Sequence, residues 1–494
     1  MPTTRSQTAQ ERESIASSNV PSQAASADSG IRQRQQVSSD FLTNDTEWAN
    51  SRPRTTVSDE PPRFTIDLSL PPEERYLEVC AALHSEITGI TSLFDEVVGG
   101  MVGFLPLKWL HVVCRLLLRG LYSEEETAEL RGIGEATGVA LYLLVCLNVL
   151  LDLFMGCSSG GAAVKGEDGS ATILHFRTLD WGMPALRRIV VRLDFVTEAG
   201  GGVVASSVTY AGFVGVLTGV RSGFSVSLNF RPQHDGSGGF GADARYGWHL
   251  LLVLLGWRAS ISSTLRTFLL PKRQGTNGEV SRTQARAGLD LQPDHWVDVA
   301  QRTAPGRTVW SAMTYADVLK QFCTNGRDTQ CNIFPSTACY LCICDGDETT
   351  VIEKDLVTAR IRSSDDFIVI TNNDEDDAVN VGGGTAKEEP PFATALAEIV
   401  LEAKDRKQCA EHNWNNIKVV KAKALRLRSP GKEERKLLLD FDDVVTLVQR
   451  YPTTNEATHF ACVMDPGAGS VRWCRRWMRP VSAKWIREHQ SETW

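Results

Sequence analysis

The chain has 494 residues, 42% of them hydrophobic and 23% charged, with a net charge of −8 at pH 7. That composition is ordinary for a globular protein with a large core, and the acidic balance argues against general binding to nucleic acid. The twelve cysteines are scattered and several fall inside apolar runs, as Cys114 and Cys146 do, which reads as buried free thiols.

Residues 1–60 are rich in Ser, Gln, Thr and Arg and set up no hydrophobic period, so they read as a disordered tail. No apolar stretch in the first forty residues resembles a secretory signal, and on that ground the chain reads as intracellular, in the cytoplasm. Order begins at Phe64-Thr-Ile-Asp-Leu-Ser-Leu-Pro71-Pro72, a strand-like alternation stopped by two prolines. The stretch 61–156 then reads as helical. Helical spacing covers Glu73 to Leu83, Leu105 to Leu121 is strongly apolar, and Ser123-Glu-Glu-Glu126 is a capping-box start for a helix through Glu135. Val139 to Met155 is interrupted by Asn148 and Asp152 and falls short of the roughly twenty apolar residues that span a bilayer, so it reads as a core helix.

After Cys157 the texture changes to period two. Strands are expected at Ile173 to Arg177, Arg188 to Phe195, Val203 to Tyr210, Phe213 to Thr218 and Phe224 to Phe230. Trp248 to Leu270 and Tyr315 to Phe322 resume helical spacing. Strands return at Thr337 to Cys344, Thr349 to Lys354, Asp366 to Thr371, His459 to Met464 and Val471 to Cys474. This order predicts an α+β fold of layered sheets covered by helices. The block 157–494 forms one domain, with polar insertions expected near 272–308 and 404–436.

The chemistry centres on Leu-Asp-Leu-Phe-Met-Gly156-Cys157-Ser-Ser, where an apolar run meets a strand. A lone cysteine is most often a small core residue. Here the preceding Gly156 leaves the peptide bond open to attack by the thiol, and a cut would give Cys157 an α-amine that titrates near neutrality and serves as its own base. Arg177 and Asp180, three apart at the end of a strand, are either a surface ion pair or the groups that steady the thiol and orient that amine. Asn229 and Asn372, each ending an apolar strand, are turn residues or donors to an oxyanion, with Asn372 the stronger candidate and Asn229 a supporting one. In Cys339-Tyr-Leu-Cys342-Ile-Cys344, strand alternation sets the first thiol opposite the other two, which speaks against a metal site.

These residues resemble the acid ceramidase and N-acylethanolamine acid amidase family of N-terminal-nucleophile hydrolases. The resemblance lies in Phe64 to Pro72, Leu147 to Cys157, His175-Phe-Arg177-Thr-Leu-Asp180-Trp-Gly, Ala205 to Gly219, Ser227-Leu-Asn229 and Thr371-Asn372, in that order along the chain. It implies an αββα sandwich preceded by a helical α-subunit segment, and a zymogen that cuts itself at Gly156-Cys157 into two fragments. The family's nucleophile falls on Cys157, its arginine and aspartate on Arg177 and Asp180, and its oxyanion asparagine on Asn372. The implied reaction is hydrolysis of a lipid N-acyl amide, foremost ceramide, otherwise an N-acylethanolamine, with no metal or cofactor. The apolar helix around Leu105 to Leu118 would border the site and meet a membrane surface.

Two departures stand out. The family's Asn-Glu-Arg is Asn229-Phe230-Arg231 here, and the arginine expected downstream of Asn372 has no match among Asp374 to Asp377 and Lys387. An uncut, degenerate lipid-binding protein is the rival reading.

Overall fold

The computed structural model describes residues 60–89, 91, 94–95, 106–150, 156–166, 168–236, 238–273, 296–298, 310–322, 334–375, 391–428, 438–480, 482 and 484. The tail expected at 1–60, apart from its last residue, and most of the insertion expected at 272–308 lie outside them.

In chain order the strands are β1 Arg63–Asp67, β2 Gly156–Lys165, β3 Ala171–Asp180, β4 Val190–Val196, β5 Ala205–Tyr210, β6 Thr218–Arg221, β7 Phe224–Phe230, and the short β8 Lys272–Arg273, β9 Trp296–Asp298 and β10 Trp310–Met313. They continue with β11 Cys339–Cys344, β12 Thr349–Lys354, β13 Ala359–Ser364, β14 Phe367–Ile370, β15 Thr458–Asp465 and β16 Ser470–Arg476. The longer helices are α1 Leu107–Leu117, α2 Glu124–Thr137, α3 Leu141–Leu150, α4 Phe240–Leu254, α5 Ile261–Leu269, α6 Pro391–Arg428 and α7 Phe441–Gln449.

An eight-stranded sheet runs β1-β4-β5-β6-β7-β11-β12-β13 and a five-stranded sheet β14-β2-β3-β15-β16. Alternation along the central strands decides how they stack. Ser225, Ser227 and Asn229 leave one face of β7 and bond His175 and Arg177 of β3, so these faces meet between the sheets. Phe224, Val226 and Leu228 leave the other face and join Leu265, Phe268 and Leu269 of α5 in the main core. On the far side of the five-stranded sheet, Ala162, Val164, Leu174 and Phe176 pack against Ala410 and Trp414 of α6 and Val444, Leu447 and Val448 of α7. The layers are helix, sheet, sheet, helix, as expected.

The upstream segment is bound into this frame. Strand β1 pairs in parallel with β4, and α2 lies so close to the turn at Pro72–Glu74 that a Cβ on Gly132 would sit 1.9 Å from the Glu73 carbonyl oxygen. Asn148 is buried inside α3 and donates to the carbonyls of Leu144 and Gly212 at 2.8 and 2.9 Å, so the polar interruption of that apolar run is satisfied. Among the described residues, no helix is long and apolar enough to cross a membrane.

Four expectations are corrected. The stretch 213–217 is not a strand: the Val214 N–H is taken by the Asn148 side chain and the Val216 N–H by the Ser262 carbonyl, so it has no ladder to join until β6. The Trp248 to Leu270 helix breaks into α4 and α5 at Gly256, whose φ of 71° ends the first helix and whose missing Cβ would lie 2.6 Å from the Gly120 carbonyl oxygen. Ser123 caps α2 through the Glu126 N–H at 3.3 Å, but the Glu126 carboxylate does not complete the box; it is buried and accepts from Ser263 Oγ at 2.5 Å. Of the insertion expected at 404–436, the described part 404–428 belongs to α6, which buries Ala403, Arg406, Lys407, Ala410 and Trp414 at helical spacing and so packs into the fold.

Candidate active site

Strands β2 and β3 pair antiparallel with Cys157 opposite Leu179, Ser159 opposite Arg177 and Gly156 opposite Asp180. Cys157 and Arg177 therefore share the face that looks toward the other sheet. Arg177 Nη2 donates to Cys157 Sγ at 3.2 Å, while Nη1 donates to Asn229 Oδ1 at 2.8 Å and to Ser159 Oγ at 3.2 Å. Ser159 Oγ also donates to Asn229 Oδ1 at 2.7 Å, and the Asn229 amide nitrogen donates to the carbonyls of Ile370 and Thr371 at the end of β14. All of these side chains are buried.

The nitrogen of Cys157 faces the other neighbour, β14. That ladder sets Ile370 opposite Ser159, and one more pair of steps along it brings Asn372 level with Cys157. The strand has ended by then, and the side chain takes over the ladder's work: Asn372 Oδ1 accepts the Cys157 N–H at 2.7 Å. Its orientation is fixed twice, because Oδ1 also accepts from Arg406 Nη2 at 2.8 Å and Nδ2 donates to the Phe230 carbonyl at 2.7 Å. The other arm of Arg406 pairs with Asp180, which in turn accepts from Thr458 Oγ1 at 2.6 Å and Asn455 Nδ2 at 3.2 Å.

Three of the four principal candidates, Arg177, Asp180 and Asn372, thus gather around the fourth, Cys157, together with Asn229. Two details differ from the expectation. Arg177 and Asp180, an odd number of positions apart, leave opposite faces of β3, so they do not pair with each other; the first reaches the sulfur, and the second reaches the nitrogen through Arg406 and Asn372. The amide NH2 of Asn372, expected to face an oxyanion, is occupied by the Phe230 carbonyl while the chain is whole. Phe230 is buried, outside the main cluster that holds Phe224, Val226 and Leu228.

Arg406 is the residue missed in the sequence, 34 positions beyond Asn372. Its signal was the buried face of α6, at 403, 406, 407, 410 and 414, hidden by reading that block as an insertion.

Burial, the largest influence, pushes the Cys157 thiol above its ordinary range; Arg177 pulls it down and Asp180 adds to the rise. Burial likewise holds the Asp180 carboxyl above the usual carboxylate range, against Arg406, Thr458 and Asn455. The sulfur is fully enclosed in the whole chain. A cavity of about 460 Å³ is lined by Arg231, His234, Glu353, Arg360 and Asp374 among others, and by none of the residues around Cys157. Cys339 belongs to the main core while Cys342 and Cys344 sit in separate clusters on the opposite face of β11. Among the described residues, no group of three or more His, Cys, Asp or Glu is arranged to hold a metal ion.

The family model for the beta subunit of N-acylethanolamine-hydrolyzing acid amidase matches residues 59–122, upstream of Cys157. An acid ceramidase of Rattus norvegicus is 28% identical over 207 residues, covering 35% of this chain and 47% of that protein. An N-acylethanolamine-hydrolyzing acid amidase of Caenorhabditis elegans is 28% identical over 188 residues, covering 36% and 50%. The chain spans about half the length of these relatives. The solved structure of a C. elegans N-acylethanolamine-hydrolyzing acid amidase ortholog aligns with 67% of this chain and 97% of its own, at 18% identity and a TM-score of 0.36.

Proposed function

We propose that this chain, which belongs to the acid ceramidase and N-acylethanolamine acid amidase family, hydrolyses the amide bond of a lipid N-acyl amide with a cysteine that it exposes by cutting its own backbone. One observation carries the reading: Arg177 bonds the sulfur of Cys157 while Asn372 bonds the nitrogen of the same residue, so both atoms that the chemistry uses are held by buried side chains.

In the cut, Cys157 Sγ adds to the Gly156 carbonyl carbon, the C–N bond breaks, and the thiol proton ends on the nitrogen that becomes the α-amine. Water then opens the thioester, leaving a carboxylate on Gly156 and restoring the thiol. In hydrolysis, the α-amine takes the thiol proton as Sγ attacks the substrate carbonyl and passes it to the leaving amine; water releases the fatty acid from the acyl-enzyme. Arg177 favours thiolate as a positioning residue, and the Asp180–Arg406–Asn372 chain aligns the amine. The Asn372 NH2 that the Phe230 carbonyl occupies in the whole chain is the donor assigned to the oxyanion.

Ceramide is the first substrate to test and N-acylethanolamine the second. The apolar chain suits α1, which leaves Trp109, Val112, Val113 and Leu116 exposed and offers a contact to a lipid surface. A second reading, an uncut lipid-binding protein, is favoured by the full enclosure of Cys157 and by Phe230 where the family carries a carboxylate. The test is release of labelled fatty acid from both substrates by the wild type and by Cys157→Ala. The proposal expects release by the first alone; binding without release by either supports the second reading.

A further inference from the structure

The bond before Cys157 divides the chain into two pieces that share a buried ionic knot. From the upstream piece, α2 contributes Glu126 and Glu129, and Arg75 precedes it; from the downstream piece, α5 contributes Ser263 and Arg266. Arg266 grips both oxygens of Glu129 at 2.6 Å and the Val214 carbonyl at 2.6 Å, and Arg75 donates to Glu129 at 2.9 Å. Glu126 accepts from Ser263 Oγ at 2.5 Å and lies 3.9 Å from Arg266 Nε. Among the described residues the seam also holds the β1–β4 ladder, the Arg63–Asp194 ion pair, the bonds of Asn148 to Gly212 and Val214, and apolar contacts.

Resting on the scission proposed above, we propose that this knot between the two fragments tightens in acid. Glu126 shares one arginine with Glu129, so two buried carboxylates compete for Arg266 while Glu126 keeps a neutral hydroxyl as its nearest partner. Burial pushes the Glu126 carboxyl up to about 7, opposed by Arg266 and Ser263 and reinforced by Glu129 and Glu125. The joined particle therefore holds a proton there that the parted fragments, with Glu126 in water, hold only below the ordinary glutamate range. Joining is tightest below that range, weakens as pH rises, and is weakest above about 7. Three other shifted groups lie about the knot. Glu125 is held below the ordinary range, and Tyr76 is raised far above neutrality. Burial lowers Lys272, which the two glutamates pull back upward.

The experiment follows fragment separation by size-exclusion chromatography in mild urea at pH 5 and pH 8, on the self-cut wild type. In parallel it uses Cys157→Ala carrying a protease site within residues 151–155, cut by added protease. The second arm keeps the knot testable if self-scission fails. We expect dissociation at least about tenfold weaker at pH 5. Glu126→Gln should abolish the difference and hold the fragments together at both pH values, and Arg266→Met should part them at both. Equal dissociation at the two pH values, or a pH difference that persists in Glu126→Gln, overturns the proposal; a whole wild-type chain overturns only the scission reading.

Discussion

Cys157 is gripped from two sides, and the cation on each side is treated differently. Beside the nitrogen, the charge of Arg406 is closed by Asp180, itself held by Thr458 and Asn455. Beside the sulfur, the bonding partners of the buried Arg177 are Ser159, Asn229 and the thiol, with no carboxylate among the described residues, and its Nε has no partner there. A buried guanidinium with no carboxylate bonded to it is costly, and among the described residues that it bonds, Cys157 is the one that can become an anion. In the proposed reading the closed pair fixes geometry, while the open one offsets part of the burial that raises the thiol.

That contrast breaks first under Arg406→Leu. Asp180 would be left buried and unpaired, a loss of about 3–5 kcal/mol in stability by thermal or urea unfolding. The sign with pH is fixed. A carboxyl held above its unfolded value is most stabilising when protonated, so the deficit against wild type should shrink in acid and grow as pH rises from 5 to 8. A variant as stable as wild type at pH 8 would show that Asp180 is not closed by Arg406.

Arg177→Leu comes next. It removes a charge that has no carboxylate bonded to it, so about 1–3 kcal/mol is expected, mainly from the bonds lost at Ser159 and at the Asn229 oxygen, which keeps Ser159 Oγ as its donor, while scission and hydrolysis fall on the order of a hundredfold. If this variant is the less stable of the two, the distinction between open and closed cations fails. Ser159→Ala removes one hydrogen bond from Asn229 and should cost about 1 kcal/mol, with rates nearly unchanged; a larger rate loss would move Ser159 into the chemistry.

The same contrast explains what could be read from the sequence. The sulfur side comes from β2, β3 and β7, whose alternation and ends are local signals, and Cys157, Arg177 and Asn229 were legible there. The nitrogen side is assembled from the end of β3, the second residue beyond β14 and the middle of α6, so Arg406 meets Asp180 across 226 positions. A charged residue on a long polar helix gives no sign of burial unless the apolar positions flanking it are read as a face. The loop at 213–217 escaped for a related reason: its apolar pattern was real, but its backbone bonds go to Asn148 and Ser262 and not to a strand.

The central claim is tested most directly by intact mass and amino-terminal sequencing of the purified protein after incubation at acidic and neutral pH. The account predicts two fragments, the heavier beginning at Cys157, and a Cys157→Ala chain that stays whole. A wild-type chain that remains uncut at both pH values, or a cut at any other bond, contradicts it.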